Sequence, residues 1–368
     1  MLLTAIMLYA KQPEHHKNYC LSNQMGKRKL SKRQTQRIQS MQERQRKRAY
    51  DKSLDHSLEG LTSLGPETTG IVISNYGTQV DIEGDQAPFA GIMIRCFKRA
   101  NIDSLVTGDN VVWQPVEKNN SQTNGVVVAL LPRESELIRP DSYGKLRPVA
   151  ANTDRIGVVF SPLPNPQSNL IDRYLVAAEA HDIEPFIVVN KIDLLADNDY
   201  PDIQQLVDNY RFIGYEVICV SAKTGFGMDQ LGNYLCDHTS IFVGQSGVGK
   251  SSIINVLQPE NNSATGALSE ATNEGTHTTT TSRLVHLNSG GILIDSPGIR
   301  EFALSHLDQE IIINSFRDFR PYLGKCKFRD CKHDREAGCA LLEAVAEGKV
   351  LDERLKNYRQ IVHSLNSC

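Results

Sequence analysis

Between residues 70 and 138 the chain sets short β-branched and apolar runs against breaks at Gly, Asn, Asp and Pro. The runs are GIVISNYGTQVDIEG, GIMIRCF, GDNVVWQPV and GVVVALLP. Runs of this length and spacing predict several short strands forming a small antiparallel barrel. A five-stranded nucleic-acid-binding barrel and an SH3-like barrel fit that pattern alike. From about residue 153 the rhythm changes to alternating strands and helices. RIGVVF, PFIVVN, YEVICVSA and SIFVG read as strands, and NLIDRYLVAAEAH, YPDIQQLVDNYRFI, GMDQLGNYLCDH and KSSIINVL as helices. RLVHLN and GGILIDSPG add two more strands. Strands that are apolar nearly throughout, alternating with helices, predict a mostly parallel sheet covered on both faces. Residues 306–368 read as mainly helical, with a Cys/His cluster in a loop. Residues 26–48 offer only Leu30, Ile38 and Met41 as apolar positions, too few for a core-facing stripe.

A length of 368 residues accommodates two or three domains, each with its own core. The pattern divides them into an N-terminal extension over 1–68, expected to be disordered, a barrel over 69–138, an α/β domain over 139–305 and a helical domain over 306–368. No apolar run reaches the ~18 residues a membrane-spanning helix needs. The opening MLLTAIMLYA is apolar but lacks a basic start and a small-residue cleavage site, so no secretory signal is expected. Composition shifts at Met25, which fits a native start there; N-terminal mass spectrometry of the native protein tests this.

The formal charge of −3 conceals an asymmetry. Ten Lys and Arg residues lie between Met25 and Arg48 against Glu43 alone, so this segment carries +9 and the remainder −12. A basic tail on an acidic body points to a polyanionic partner. Of eight cysteines, Cys326, Cys331 and Cys339 cluster around His333, while Cys20, Cys96, Cys219, Cys236 and Cys368 are scattered. Three clustered thiols with a histidine suit a metal better than disulfides, and a reducing cytoplasm is the expected compartment. Cys326-x4-Cys331-x-His333-x5-Cys339 supplies three thiolates and one imidazole, a closed tetrahedral set for one structural Zn²⁺. Lys325, Lys327, Arg329, Lys332 and Arg335 surround these ligands and are candidates for phosphate contact.

Gly244-Gln245-Ser246-Gly247-Val248-Gly249-Lys250-Ser251 matches G-x-x-x-x-G-K-[ST] between a strand and a helix, and runs on into Ser252. Its glycines let backbone N–H groups wrap a phosphate at a helix N-terminus. Lys250 would reach the β and γ oxygens and the Ser251 hydroxyl would bind Mg²⁺. Asp295-Ser296-Pro297-Gly298 ends the apolar strand Ile292–Ile294, where Asp295 can hold Mg²⁺ through water and the Gly298 N–H can bond the γ-phosphate. Asn190-Lys191-Ile192-Asp193 ends one strand and Ser221-Ala222-Lys223 the next. Guanine presents two adjacent donors that the Asp193 carboxylate can accept together, whereas adenine would leave that carboxylate unpaired. Asn190 can bond the base or tie loops together, Lys191 can lay its stem over the ring, and the Ala222 N–H can reach guanine O6.

These motifs resemble GTPases, but N-K-I-D and S-A-K precede the P-loop here, the order of circularly permuted GTPases rather than of Ras-like proteins. With LVTGDNVVW, GQSGVGKSS, DSPGIREF and CKFRDCKHD, the chain resembles the RsgA (YjeQ) family of small-ribosomal-subunit-dependent GTPases over roughly residues 26–366. That resemblance implies an OB-like barrel, a circularly permuted P-loop GTPase domain and a zinc-binding C-terminal domain. It implies a late step in small-subunit assembly, with GTP hydrolysis to GDP and phosphate stimulated by the subunit. The implied partners are the small subunit with its rRNA and GTP/GDP, for a monomer with no membrane role. Three parts are placed to meet rRNA: the tail, the zinc segment and, by fold analogy, the barrel at Arg95, Lys98 and Arg99.

Permutation sets both switch elements immediately before the zinc-containing segment, where their γ-phosphate-dependent ordering could pull on it. Ile299 stands where a Ras-like enzyme has its water-orienting Gln. Gly275-Thr276-His277-Thr278-Thr279-Thr280 occupies the expected first switch. His277 is the candidate for positioning water, alongside Lys250 in catalysis, and Thr278 or Thr279 for binding Mg²⁺. The alternative for His277 is an ordinary surface-loop histidine. Thr276 departs from the Arg or Gln common before this His. Gly247, where some GTPases carry Asn, gives no expectation of a potassium site.

Overall fold

The computed structural model describes residues 64–99, 102, 104–116, 125–140, 145–195, 200–258, 282–295, 304 and 306–366. The basic tail, His277 with its neighbouring threonines, and Gly298 lie outside the described residues. The described chain divides after Pro132 into two compact units.

In the first unit, β1 (Thr68–Asn75), β2 (Gln79–Gly84), β3 (Met93–Lys98), β4 (Asn110–Pro115) and β5 (Gly125–Leu130) run in the order β1-β2-β3-β5-β4. β4 pairs back onto β1 and closes the barrel. The β3–β5 pair is parallel and every other pair antiparallel, which is OB-type closure rather than an SH3-like one. Alternation puts Val72, Val80, Ile82, Ile94, Cys96 and Val111 around the buried Trp113. The indole N–H donates to the Thr69 carbonyl at 3.1 Å. Gly125 is required beside it, since a Cβ there would lie 2.8 Å from Trp113 Cε3.

The second unit opens on an antiparallel hairpin, β6 (Glu136–Pro140) with β7 (Leu146–Ala151). An alternating series follows: β8 (Arg155–Phe160), α1 (Ser168–Ala180), β9 (Glu184–Val189), α2 (Pro201–Ile213), β10 (Val217–Cys219), α3 (Met228–Leu235), β11 (Thr239–Val243) and α4 (Lys250–Leu257). Then come β12 (Arg283–His286) and β13 (Ile292–Asp295). The sheet order is β10-β9-β8-β11-β13-β12, parallel except for the β12–β13 pair. Thus β11, which leads into the P-loop, sits centrally between an earlier strand and a later one. This is the arrangement expected of a permuted GTPase domain. Val159, Phe186, Val188, Phe242, Ile253 and Leu293 form the core beneath it.

The C-terminal segment is helical, with α5 (Gln309–Asn314), α6 (Ala340–Ala346) and α7 (Asp352–Asn366). α7 is pinned to α1 through a buried ionic network. Arg354 bonds Asp172 at 2.5 Å and Asp318 at 2.9 Å, while Asp172 also accepts from Asn357 at 2.7 Å and Tyr210 at 2.8 Å. Burial pushes the Asp172 carboxyl up, and Arg354, Asn357 and Tyr210 oppose that push. Phe316 and Phe319 stack at 4.7 Å and both meet Tyr358 edge-on. Arg317 and Arg320 reach from this segment to Glu179, and Arg317 also to Glu184.

Candidate functional site

The P-loop glycines are fixed by what lies against them. Gly244 has φ 142° and Gly249 φ 94°, both in the left-handed half of backbone space. A Cβ on Gly244 would strike the Val159 carbonyl, and one on Gly249 the Asn190 side-chain amide. Gly249 caps α4, so Lys250 is the first helical residue. The Lys250 ammonium donates to the Gly244 carbonyl at 2.7 Å and the Gln245 carbonyl at 3.0 Å. Ser251 and Ser252 are exposed on the first turn, and Val248 is buried.

Asn190 joins three loops. Its amide donates to the Val248 carbonyl of the P-loop at 2.9 Å, and its oxygen accepts from the Ala222 N–H at 3.2 Å. Of the two roles open to Asn190, tying loops together is the one it performs here. Ala222 correspondingly gives its N–H to Asn190. Lys191, at φ 60°, donates to the Gly247 carbonyl at 2.5 Å and the Leu163 carbonyl at 2.8 Å. A 3-10 turn at Ile192–Leu195 presents Asp193, whose carboxylate accepts from Ser221 Oγ at 2.6 Å. Ser221 Oγ accepts in turn from the Thr224 N–H at 3.2 Å. Lys223 stands 4.0 Å from the other Asp193 oxygen. Two motifs more than fifty residues apart in sequence therefore share one hydrogen-bonded frame.

The loop between β8 and α1 belongs to this frame although no motif marked it. Ser161 Oγ donates to the Leu163 carbonyl at 2.7 Å, and Leu163 holds Lys191. Its position at the carboxyl end of a parallel strand, where open α/β sheets bind ligands, is the signal that could have found it.

Asp295 ends β13, and partial burial raises its carboxyl above the usual range while Lys250 opposes the shift. Its carboxylate and the Ser251 hydroxyl are hard oxygen donors of the kind Mg²⁺ takes, so the residues present fit that ion. His277, Thr278, Thr279 and Gly298 cannot be placed among the described residues.

Cys326, Cys331, His333 and Cys339 converge, with all four donor atoms within 4.8 Å of one another. His333 Nδ1 lies 3.6, 3.7 and 3.3 Å from the sulfurs of Cys326, Cys331 and Cys339, and Cys326 Sγ lies 3.9 Å from Cys339 Sγ. Metal–sulfur bonds of about 2.3 Å and a metal–nitrogen bond of about 2.0 Å in a tetrahedron require edges of about 3.5–3.8 Å. The donor set fits zinc on that count. His333 adopts φ 59°, and Arg359 of α7 braces the turn by donating to the His333 carbonyl at 3.0 Å. Glu336 accepts from the Lys332, Asp334 and Arg335 N–H groups, which hold its carboxyl down at about 2.

Comparison with known proteins agrees with this architecture. Residues 130–305 match the family model described as RsgA GTPase. The small ribosomal subunit biogenesis GTPase RsgA of Ectopseudomonas mendocina is 52% identical over 93% of this chain and 98% of its own length. That of Pseudomonas fluorescens strain SBW25 is 51% identical with the same coverage. The crystal structure of YjeQ from Thermotoga maritima superposes with a TM-score of 0.65 at 29% identity, covering 82% of this chain and all of that one. YloQ, described as a circularly permuted GTPase, gives 0.61 at 29% identity, covering 86% of this chain and 98% of that one. With half of its residues identical over nearly the whole length of these relatives, the chain belongs to the RsgA GTPase family.

Proposed function

We propose that this protein binds the small ribosomal subunit and acts in its late assembly, hydrolysing GTP to GDP and phosphate with stimulation by the subunit. The observation that carries the nucleotide half is Asn190, which links the guanine-reading loops to the P-loop in one frame. The subunit as partner rests on the relatives' names. In this reading the protein is a cytoplasmic monomer with a basic extension (1–68), barrel (69–138), GTPase domain (139–305) and zinc-binding domain (306–368).

Asp193 selects guanine by accepting its two adjacent donors, with Ser221 fixing the carboxylate and Ala222 and Lys223 lining the base. The Gly244–Lys250 loop turns its N–H groups to the phosphates, and Lys250 exchanges its two carbonyl partners for phosphate oxygens. Mg²⁺ bound with GTP would be held by Ser251, Asp295 and one of Thr278 or Thr279, and supplies charge neutralisation at the β and γ oxygens. Gly298 bonds the γ-phosphate, and His277 positions the attacking water. Zn²⁺ on the four-donor cluster is structural, because no ligand position is left open.

Phosphate release from GTP and ATP, with and without purified small subunits at low and moderate salt, tests this. Strong stimulation confined to GTP is expected. Slow hydrolysis indifferent to subunits would instead favour an RNA-binding protein in which GTP is a structural ligand.

A further inference from the structure

The zinc loop carries an exposed aromatic. Phe328 lies between the ligand residues Cys326 and Cys331, so its backbone is tied at both ends, yet half of its surface is exposed. Lys327 stands beside it with Nζ 5.5 Å from the ring centroid. Lys327 is itself held, since its N–H donates to the Gly338 carbonyl at 2.9 Å and its Cβ would lie 3.0 Å from any Cβ on Gly338. Lys325, Arg329, Lys332 and Arg335 are exposed on the same loop. Two of the loop's three acids are occupied, Glu336 by backbone N–H groups and Asp334 by Arg359 at 3.6 Å.

A rigidly mounted ring surrounded by cations is the combination that binds single-stranded nucleic acid, the ring stacking on a base and the cations tracking phosphates. We propose that Phe328 is a stacking platform for an unpaired base of RNA, with Lys327 and Arg329 contacting the flanking phosphates. This rests on the ribosomal reading above for its biological setting, while the chemistry stands on the loop itself. Duplex RNA offers no free base face, so the platform selects single strands.

The test uses the full-length, zinc-loaded protein and a fluorescein-labelled oligouridylate, with an abasic strand of the same length and an RNA duplex as controls. Phe328→Ala should weaken oligouridylate binding by about tenfold, equivalent to ~1.4 kcal/mol, and leave binding of the abasic strand unchanged. Phe328→Trp should restore binding. Phe328→Leu keeps apolar bulk without a π-face and should behave as Phe328→Ala, which separates stacking from packing. Lys327→Ala and Arg329→Ala should instead flatten the salt dependence.

Equal affinity of Phe328→Ala and wild type for oligouridylate overturns the proposal. So does a loss confined to intact small subunits, because the ring would then meet ribosomal protein. Wild type that ignores small subunits in phosphate release defeats the functional reading, and the oligouridylate arm still decides the role of Phe328.

Discussion

Arg354 offers the sharpest test of how the C-terminal segment is held. Its side chain is 3% exposed, its guanidinium lies 4.5 Å from the Phe316 ring centroid, and it faces Asp172, wholly buried, and Asp318, nearly so. Arg354→Met keeps an apolar stem of similar length and removes the charge, together with the cation–π contact to Phe316. Asp172 then retains Tyr210 and Asn357 as neutral donors and loses its countercharge. Breaking one side of a buried ion pair costs about 3–5 kcal/mol, a large part of the ~5–15 kcal/mol that stabilises a typical domain. At ~1.4 kcal/mol per decade, opening of the α1–α7 contact should become about two to four orders of magnitude more frequent. Hydrogen exchange read by mass spectrometry should show faster exchange in peptides from 168–180 and 352–366. Adding Asp172→Asn to Arg354→Met should recover part of the loss, because the uncompensated charge goes with it. Unchanged exchange in Arg354→Met, or a double variant no better than the single one, would refute a charge-based latch.

Asp193→Asn should weaken GTP binding by about a hundredfold and favour xanthine nucleotides, read by competition binding; unaltered selectivity would mean that the base site is misassigned. His277→Ala should lower subunit-stimulated turnover by about a hundredfold while GTP still binds, and unchanged turnover would remove His277 from the mechanism. Stripping zinc with a chelator should expose the 323–339 loop to protease, and cobalt in its place should give the absorption of a tetrahedral thiolate-rich site. A loop equally resistant without metal would count against structural zinc.

What could be read from the sequence was what consecutive residues encode. The P-loop is contiguous, and its glycines answer to backbone approaches that no other residue allows at Gly244 and Gly249. The barrel strands and the sheet strands announced themselves by alternation and by apolar runs. The β6–β7 hairpin did not, because Pro140 and Pro148 interrupt it and its register slips between Leu137 and Ile138. YEVICVSA looked like a full strand, yet only Val217–Cys219 pair with β9. Arg354 was invisible for a different reason. On a polar helix it looks like any solvated cation, and its partner Asp172 lies 182 residues away. Asn190 had two chemically sound roles, and the loop-tying one became visible only with the position of Val248.

The central place of β11 also governs the order in which the protein can be assembled during its own synthesis. Chains emerge from the ribosome N-terminus first. β8 and β9 can zip along six residue pairs, and β10 can join them, before Thr239–Val243 exists. Until then the edge of β8 that will receive Ser240–Val243 stays open, and an open apolar strand edge invites pairing with other chains. The loops carrying Asn190 and Ser221 are therefore made in a half-sheet that has no P-loop, so nucleotide held by that loop cannot serve as a template for it. Nucleotide becomes a folding ligand only once α4 has cleared the exit tunnel, and Asp172 waits longer still for its arginine.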